Sequence, residues 1–252
     1  MEGPRNRDRE HVRNPRCQLN GPFVRFLEDQ AKLPNIDFIH QVHRSTPRNY
    51  LERVTDHDKA ECATVAKKFG KEFWDGDRKY GYGGFHDDGR WRSVAEEMVK
   101  YYGIEPGAKI LDIGCARGFL LHEFTQVVPG VEVAGIDVSH YIIDTAKEEV
   151  KSFLRQGNAI DLPYEDQSFD FVISINTLHN LYNFDLRKAL QEIQRVGKGN
   201  KYIVLDSYRT EQEKVNLLYW QLTCECFYTP EEWQWFFEES GYTGDYGYVF
   251  CE

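Results

Sequence analysis

The segment Asp112-Ile-Gly-Cys-Ala-Arg-Gly118 constrains this chain more than any other. It joins a short apolar run, Ile110 to Ile113, to a helix-like stretch, Phe119 to Val128. Glycine enters positive φ at no steric cost, so Gly114 and Gly118 allow a sharp bend and let a ligand approach the main chain. The pattern then repeats. Val131 to Asp137, Phe169 to Ile175 and Lys201 to Asp206 read as strands. Ser139 to Lys151, with Ser139 as N-cap, and Asp185 to Val196 read as the helices between them. Strands separated by helices of about 10–15 residues imply βαβ units. The expected fold is therefore α/β: a Rossmann-like, doubly wound, mostly parallel sheet with helices on both faces. Such sheets bind ligands at the carboxyl ends of their strands, where this turn lies.

The flanks are of a different kind. Residues 1–30 carry Arg5, Arg7, Arg9, Arg13 and Arg16 with little apolar content, and are expected to be a disordered tail. Residues 31–106 read as an N-terminal helical extension, with helices at Asp56 to Phe69 and Trp91 to Tyr102. Between these helices, Lys79 to His86 is rich in glycine and aromatics, and residues 78–92 are expected to act as a lid. Residues 107–252 form the core. Its end holds a helix from Glu211 to about Glu225, then a second opened by Thr229, Pro230 and Glu232 as a capping box, then a strand from Tyr246 to Phe250.

What the turn can hold follows from its chemistry. The dinucleotide fingerprint Gly-x-Gly-x-x-Gly is broken here, with Ala116 at its second glycine and bulky Phe119 at its third. Asp112 stands two residues before Gly114. A negative charge there suits a cationic amine better than a pyrophosphate. S-adenosylmethionine carries such an amine and no phosphate.

Residues 109 to about 206 resemble the core of the class I S-adenosylmethionine-dependent methyltransferases, in the broad group with small-molecule acceptors. The first motif of that family, Leu-Asp-x-Gly-x-Gly-x-Gly, stands here as Leu111 to Gly118, with Ala116 replacing the middle glycine. By resemblance, Asp112 holds the amino group of the cofactor's methionine part, and the backbone of Gly114, Ala116 and Gly118 lines the same part. Val133-Ala-Gly-Ile-Asp137 matches the second motif and puts Asp137, with Val138 beside it, on the ribose hydroxyls. Gly157 to Pro163 matches the third, where Asn158 and Ala159 meet adenine; Asp161 is the alternative acceptor for the adenine amino group. Asn176, after the fourth strand, is a further cofactor contact. The family usually closes with an antiparallel hairpin, whereas one strand fits here, leaving an edge that the Glu211 helix is a candidate to cover.

Methyl transfer from a sulfonium needs alignment, exclusion of water and, for some acceptors, removal of a proton. His179 follows the fourth strand, either as a general base or as a structural hydrogen-bonding group. Tyr82, Trp91, Tyr208, Arg209 and Trp220 are candidates for the acceptor side. The remaining aromatics of the last third read as core packing, with a wall that stacks on the acceptor or meets a cation as the alternative.

The formal net charge of −10 disfavours a nucleic-acid partner, since phosphate backbones are repelled without a local basic patch. No apolar run approaches the ~20 residues that span a bilayer, and no signal-like segment opens the chain, so a cytoplasmic location without membrane contact is expected. Cys17, Cys62, Cys115, Cys224, Cys226 and Cys251 form no Cys-x-x-Cys pair, so reduced thiols and no metal are expected. The expected activity is O-methylation of a hydroxylated metabolite. A protein or peptide methyltransferase and a non-catalytic cofactor-binding partner remain as alternatives.

Overall fold

The computed structural model describes residues 35–39, 42 and 48–252; the expected tail at 1–30 and Cys17 lie outside them. The short helices α1 (Glu52–Thr55), α2 (Lys59–Ala66) and α3 (Lys71–Asp75) precede α4 (Trp91–Tyr102). Then follow β1 (Lys109–Ile113), α5 (Phe119–Val127), β2 (Glu132–Asp137), α6 (His140–Asp144), α7 (Glu148–Lys151) and β3 (Leu154–Gln156). The chain continues through β4 (Phe169–Ile175), α8 (Asn183–Val196), β5 (Gly197–Ser207), α9 (Glu211–Trp220), α10 (Pro230–Ser240) and β6 (Asp245–Phe250).

The strands form one sheet in the order β3-β2-β1-β4-β5-β6, with every neighbouring pair parallel. Strand order reverses between β1 and β4, so the loops leaving those two strands diverge and open a crevice at the carboxyl edge. Each face of the sheet is covered. Leu186, Leu190 and Ile193 of α8 pack with Trp233 and Phe237 of α10 on one side. Val94 and Met98 of α4 pack with Leu121 and Phe124 of α5 on the other. The aromatics Trp233, Phe236 and Phe237 thus belong to the core, with Tyr242 and Tyr246, whereas Trp235 and Tyr219, expected to pack there too, are exposed. Cys62, Cys115, Cys224, Cys226 and Cys251 are buried free thiols. No helix among the described residues is long and apolar enough to cross a membrane.

Five features depart from the sequence reading. The helix expected over Ser139 to Lys151 is broken, because the Lys147 amide donates to Arg117 O (3.0 Å) instead of continuing the helical ladder. Ser139 does cap its first part, accepting from the Ile142 amide at 3.3 Å. The Glu211 helix stops at Trp220, where Lys59 Nζ takes the carbonyls of Leu218 (2.6 Å) and Tyr219 (2.8 Å). The third strand, β3, and helix α3 are too short to show a period. The edge of β6 is covered not by α9 but by the N-terminal segment: Asn35 bridges Tyr246, the Ile36 amide donates to Tyr246 O at 2.8 Å, and the Tyr202 hydroxyl donates to Ile36 O at 2.8 Å.

Candidate cofactor and acceptor site

The carboxyl edge of the sheet carries a cavity of 570 Å3, lined by the loops after β1, β2, β3 and β4, by Asp206 of β5, by Trp220 to Thr223 and by the N-terminal extension. The β1 loop sets its floor. Gly114 (φ 80°), Ala116 (φ 48°) and Gly118 (φ 73°) all lie in the left-handed region. Ala116 therefore keeps the backbone that the missing glycine would adopt, at a conformational cost of about 1 kcal/mol. Ala116→Gly is expected to raise stability by about 0.5 kcal/mol, once the entropy gained by the unfolded chain is deducted. Urea unfolding checks this, and a loss of stability would contradict it.

Two carboxylates end adjacent strands. Asp112 is 5% exposed, and among the described residues no group donates a hydrogen bond to its side chain. Burial and the charge of Asp137 push its pKa up to about 8. Asp137 is also raised by burial, although amides from Ser139, Ala116 and Val138 pull it down. Its Oδ1 accepts from Ser139 N at 2.9 Å and its Oδ2 from Ala116 N at 3.0 Å, which ties the β1 and β2 loops together. Asp112 holds a proton that the unfolded chain releases above about pH 4, so its contribution lowers stability as pH rises from about 4 to about 8. A bound ammonium would displace that proton. S-adenosylhomocysteine binding at pH 7 is expected to release roughly 0.9 proton from a group titrating near 8. Calorimetry in buffers of different ionisation enthalpy measures the release; a buffer-independent heat would argue against it.

Of the residues singled out by sequence, Asp112, Gly114, Ala116, Asp137, Val138, Asn158, Ala159, Asn176 and His179 line the cavity, as do Tyr82, Trp91 and Trp220. Three do not. Gly118 is turned away as the N-cap of α5, with Val150 and Leu154 where a Cβ would stand. Tyr208 is buried against Leu217 and Cys251. Arg209 pairs with Glu213 and, at 2.7 Å, with Glu252. Asp161 is also outside the lining; its amide donates to Asn158 O at 3.2 Å.

His179 is 2% exposed. Its Nδ1 accepts from the Asp206 amide at 3.1 Å, so the neutral ring carries its proton on Nε2, which faces Asp206 Oδ2 at 3.6 Å. Burial lowers its pKa, against the pull of Asp206. Asp206, which also accepts from Gln221 Nε2, was passed over in the sequence. Its signal was available, since it is an acid near the end of a strand, as Asp112 and Asp137 are.

Aromatic residues of the extension line the site. Trp74 and Tyr82 stack at 5.1 Å, and Phe85 stacks on Phe119 at 5.3 Å. Tyr82 lines the cavity with 43% of its surface exposed, and confinement there with the charges of Asp206 and Asp137 raises its phenol. Asp75 fastens the extension to the β1 loop through Arg117, and accepts from the Tyr141 hydroxyl at 2.7 Å. Burial opposes ionisation of Asp75, yet hydrogen bonds from Arg117, Tyr141 and the Phe85 amide hold its pKa below the usual range.

A family model described as a methyltransferase domain matches residues 104–241, more than half of the chain. The demethylmenaquinone methyltransferase of Symbiobacterium thermophilum is 33% identical over 128 residues, covering 47% of this chain and 50% of that protein. The 2-phytyl-1,4-naphtoquinone methyltransferase of Nostoc sp. is 32% identical over 135 residues, covering 50% and 58%. The chain thus spans about half the length of the curated relatives it matches. A chain in the Haloferax volcanii complex of the Trm112 methyltransferase activator with a methyltransferase superposes with a TM-score of 0.51 at 22% identity, covering 73% of this chain and 76% of that one, which is a likeness of fold.

Proposed function

Since the chain belongs to the methyltransferase-domain family, class I proteins whose methyl donor is S-adenosylmethionine, we propose that it transfers a methyl group from that cofactor to a hydroxyl of a small molecule. The observation that carries this reading is the Asp112 carboxylate, buried at a strand end without a donor among the described residues and suited to an ammonium group. The residues present fit the cofactor. Asp112 holds its amine, the Gly114 to Ala116 backbone lies along its methionine part, Asp137 uses its remaining lone pairs on the ribose hydroxyls, and Asn158 and Ala159 border adenine. The cofactor supplies an electrophilic methyl on a sulfonium.

The rest falls to the protein. The cavity is within the range of about 300–1,000 Å3 usual for small-molecule sites. Trp74, Tyr82 and Phe85 exclude water from it. Asp206 is the proton acceptor for the acceptor hydroxyl, and His179 is a positioning residue: its Nδ1 is committed to a backbone amide and its Nε2–H faces the Asp206 carboxylate. The relatives named for quinones agree with a small-molecule acceptor. Residues 48–106 serve as the lid of a core beginning near residue 107.

The test is incubation of the full chain with methyl-labelled S-adenosylmethionine and a cell extract separated by size. Label is expected in metabolites, with release of S-adenosylhomocysteine. Label in protein would favour a peptide acceptor, and binding without any release would favour a non-catalytic partner; either result overturns the reading.

A further inference from the structure

At the end of the cavity formed by α1, the residues after α3 and the carboxyl end of α9, three guanidinium groups surround one indole. Arg53 lies 5.2 Å, Arg78 5.1 Å and Arg48 5.6 Å from the centre of the Trp220 ring, and all four residues line the cavity. Among the described residues Arg53 donates to backbone only, from Nε to Trp220 O at 3.3 Å and from Nη1 to Arg78 O at 2.7 Å. Arg78 donates to Gly81 O. Among the described residues neither Arg53 nor Arg78 pairs with a carboxylate, in a protein whose formal net charge is −10. Burial and the neighbouring Arg78 push Arg53 down to about 10; burial, with Arg48 nearby, lowers Arg78. Partly buried, mutually repelling guanidiniums at a cavity wall call for an anion. Stacking on Trp220 and fastening the extension to α9 accounts for the positions of Arg53 and Arg78 but, among the described residues, sets no carboxylate against either charge. Lys59 already takes the carbonyls at the end of α9.

We propose that the methyl acceptor is an anion whose carboxylate or phosphate group is bound by Arg53 and Arg78 beside Trp220. This rests on the methyltransferase reading for the word acceptor; the anion subsite itself does not. Tyr82 and Asp206 line the same cavity as Arg53 and Arg78, so an acceptor held at the arginines shares that space with the Asp206 carboxylate.

Calorimetry on the full chain saturated with S-adenosylhomocysteine tests this with four ring compounds of similar size. Benzoate and phenyl phosphate are expected to bind, with the tighter of the two identifying the group; benzyl alcohol and benzylamine are not. The double variant Arg53→Gln/Arg78→Gln is expected to weaken anion binding at least tenfold and leave S-adenosylhomocysteine affinity within twofold. Arg53→Lys/Arg78→Lys, which keeps the charges, is expected to retain most of the anion affinity. Should the Gln double variant lose cooperative unfolding, the single Arg78→Gln at the more exposed position carries the comparison. Anion affinity unchanged in the Gln variants, equal binding of benzyl alcohol, or no binding by either anion overturns the proposal. Arginine-dependent anion binding in a protein that fails to bind S-adenosylhomocysteine would uphold the subsite and sink the methyltransferase reading instead.

Discussion

Asp137→Ala is expected to weaken S-adenosylhomocysteine binding at least about 100-fold. Two charge-assisted hydrogen bonds to the ribose hydroxyls are worth about 1.5–3 kcal/mol each, and every 1.4 kcal/mol is about tenfold. The same carboxylate joins the Ala116 and Ser139 amides, so its loss also loosens the β1 loop. Stability is expected to fall by about 1–3 kcal/mol as two amides lose their acceptor. The two effects separate by experiment. Asp137→Asn keeps one acceptor oxygen and is expected to restore part of the stability but little of the affinity, because its amide group cannot accept from a second hydroxyl. Calorimetric affinity within fivefold of the parent chain in the Ala variant would remove Asp137 from the cofactor site.

Gly114→Ala carries the second large effect. At φ 80° a side chain is strained whatever the space, and a Cβ there would stand 2.0 Å from Thr177 Oγ1 and 2.7 Å from Thr177 Cβ. Thr177 is short and β-branched, so it cannot swing aside. The left-handed backbone costs about 1–2 kcal/mol and the overpacking about 1–3 kcal/mol. The expected loss is about 3 kcal/mol, together with loss of cofactor binding as the β1 and β4 loops are forced apart. Gly107 supplies the control, since it has φ 88° and a Cβ added there would meet nothing within 4 Å. Gly107→Ala thus reports the backbone cost alone, and the difference between the two variants reports the Thr177 contact. Equal destabilisation of the two in urea unfolding would mean that the close approach of the β1 and β4 loops is not rigid.

The helices α4 and α8 were legible because each is long enough to show its period, and the strands β1, β2 and β4 because each is a short apolar run bounded by turn signals. The three motif turns could be placed for the same reason: a strand end followed by glycine or a cap is a local arrangement. Element ends set by distant partners were not legible. Lys59 reaches across 159 positions to end α9, and Arg117 diverts the Lys147 amide that would have carried α6 into α7. Tyr208 and Arg209 were placed near the acceptor on their nearness to a strand end, whereas β5 runs on to Ser207, leaving one buried under α9 and the other in a surface ion pair.

By itself the sequence determined the parallel sheet and the loop that names the methyl donor, because an apolar strand, its terminal acid and the glycine turn after it are neighbours along the chain. The acceptor side was decided only by tertiary structure. Asp206 meets His179 across 27 positions, and Arg53 meets Trp220 across 167. No local period records such pairs. Their charges acquire meaning only when packing of the N-terminal extension against α9 brings them into one cavity.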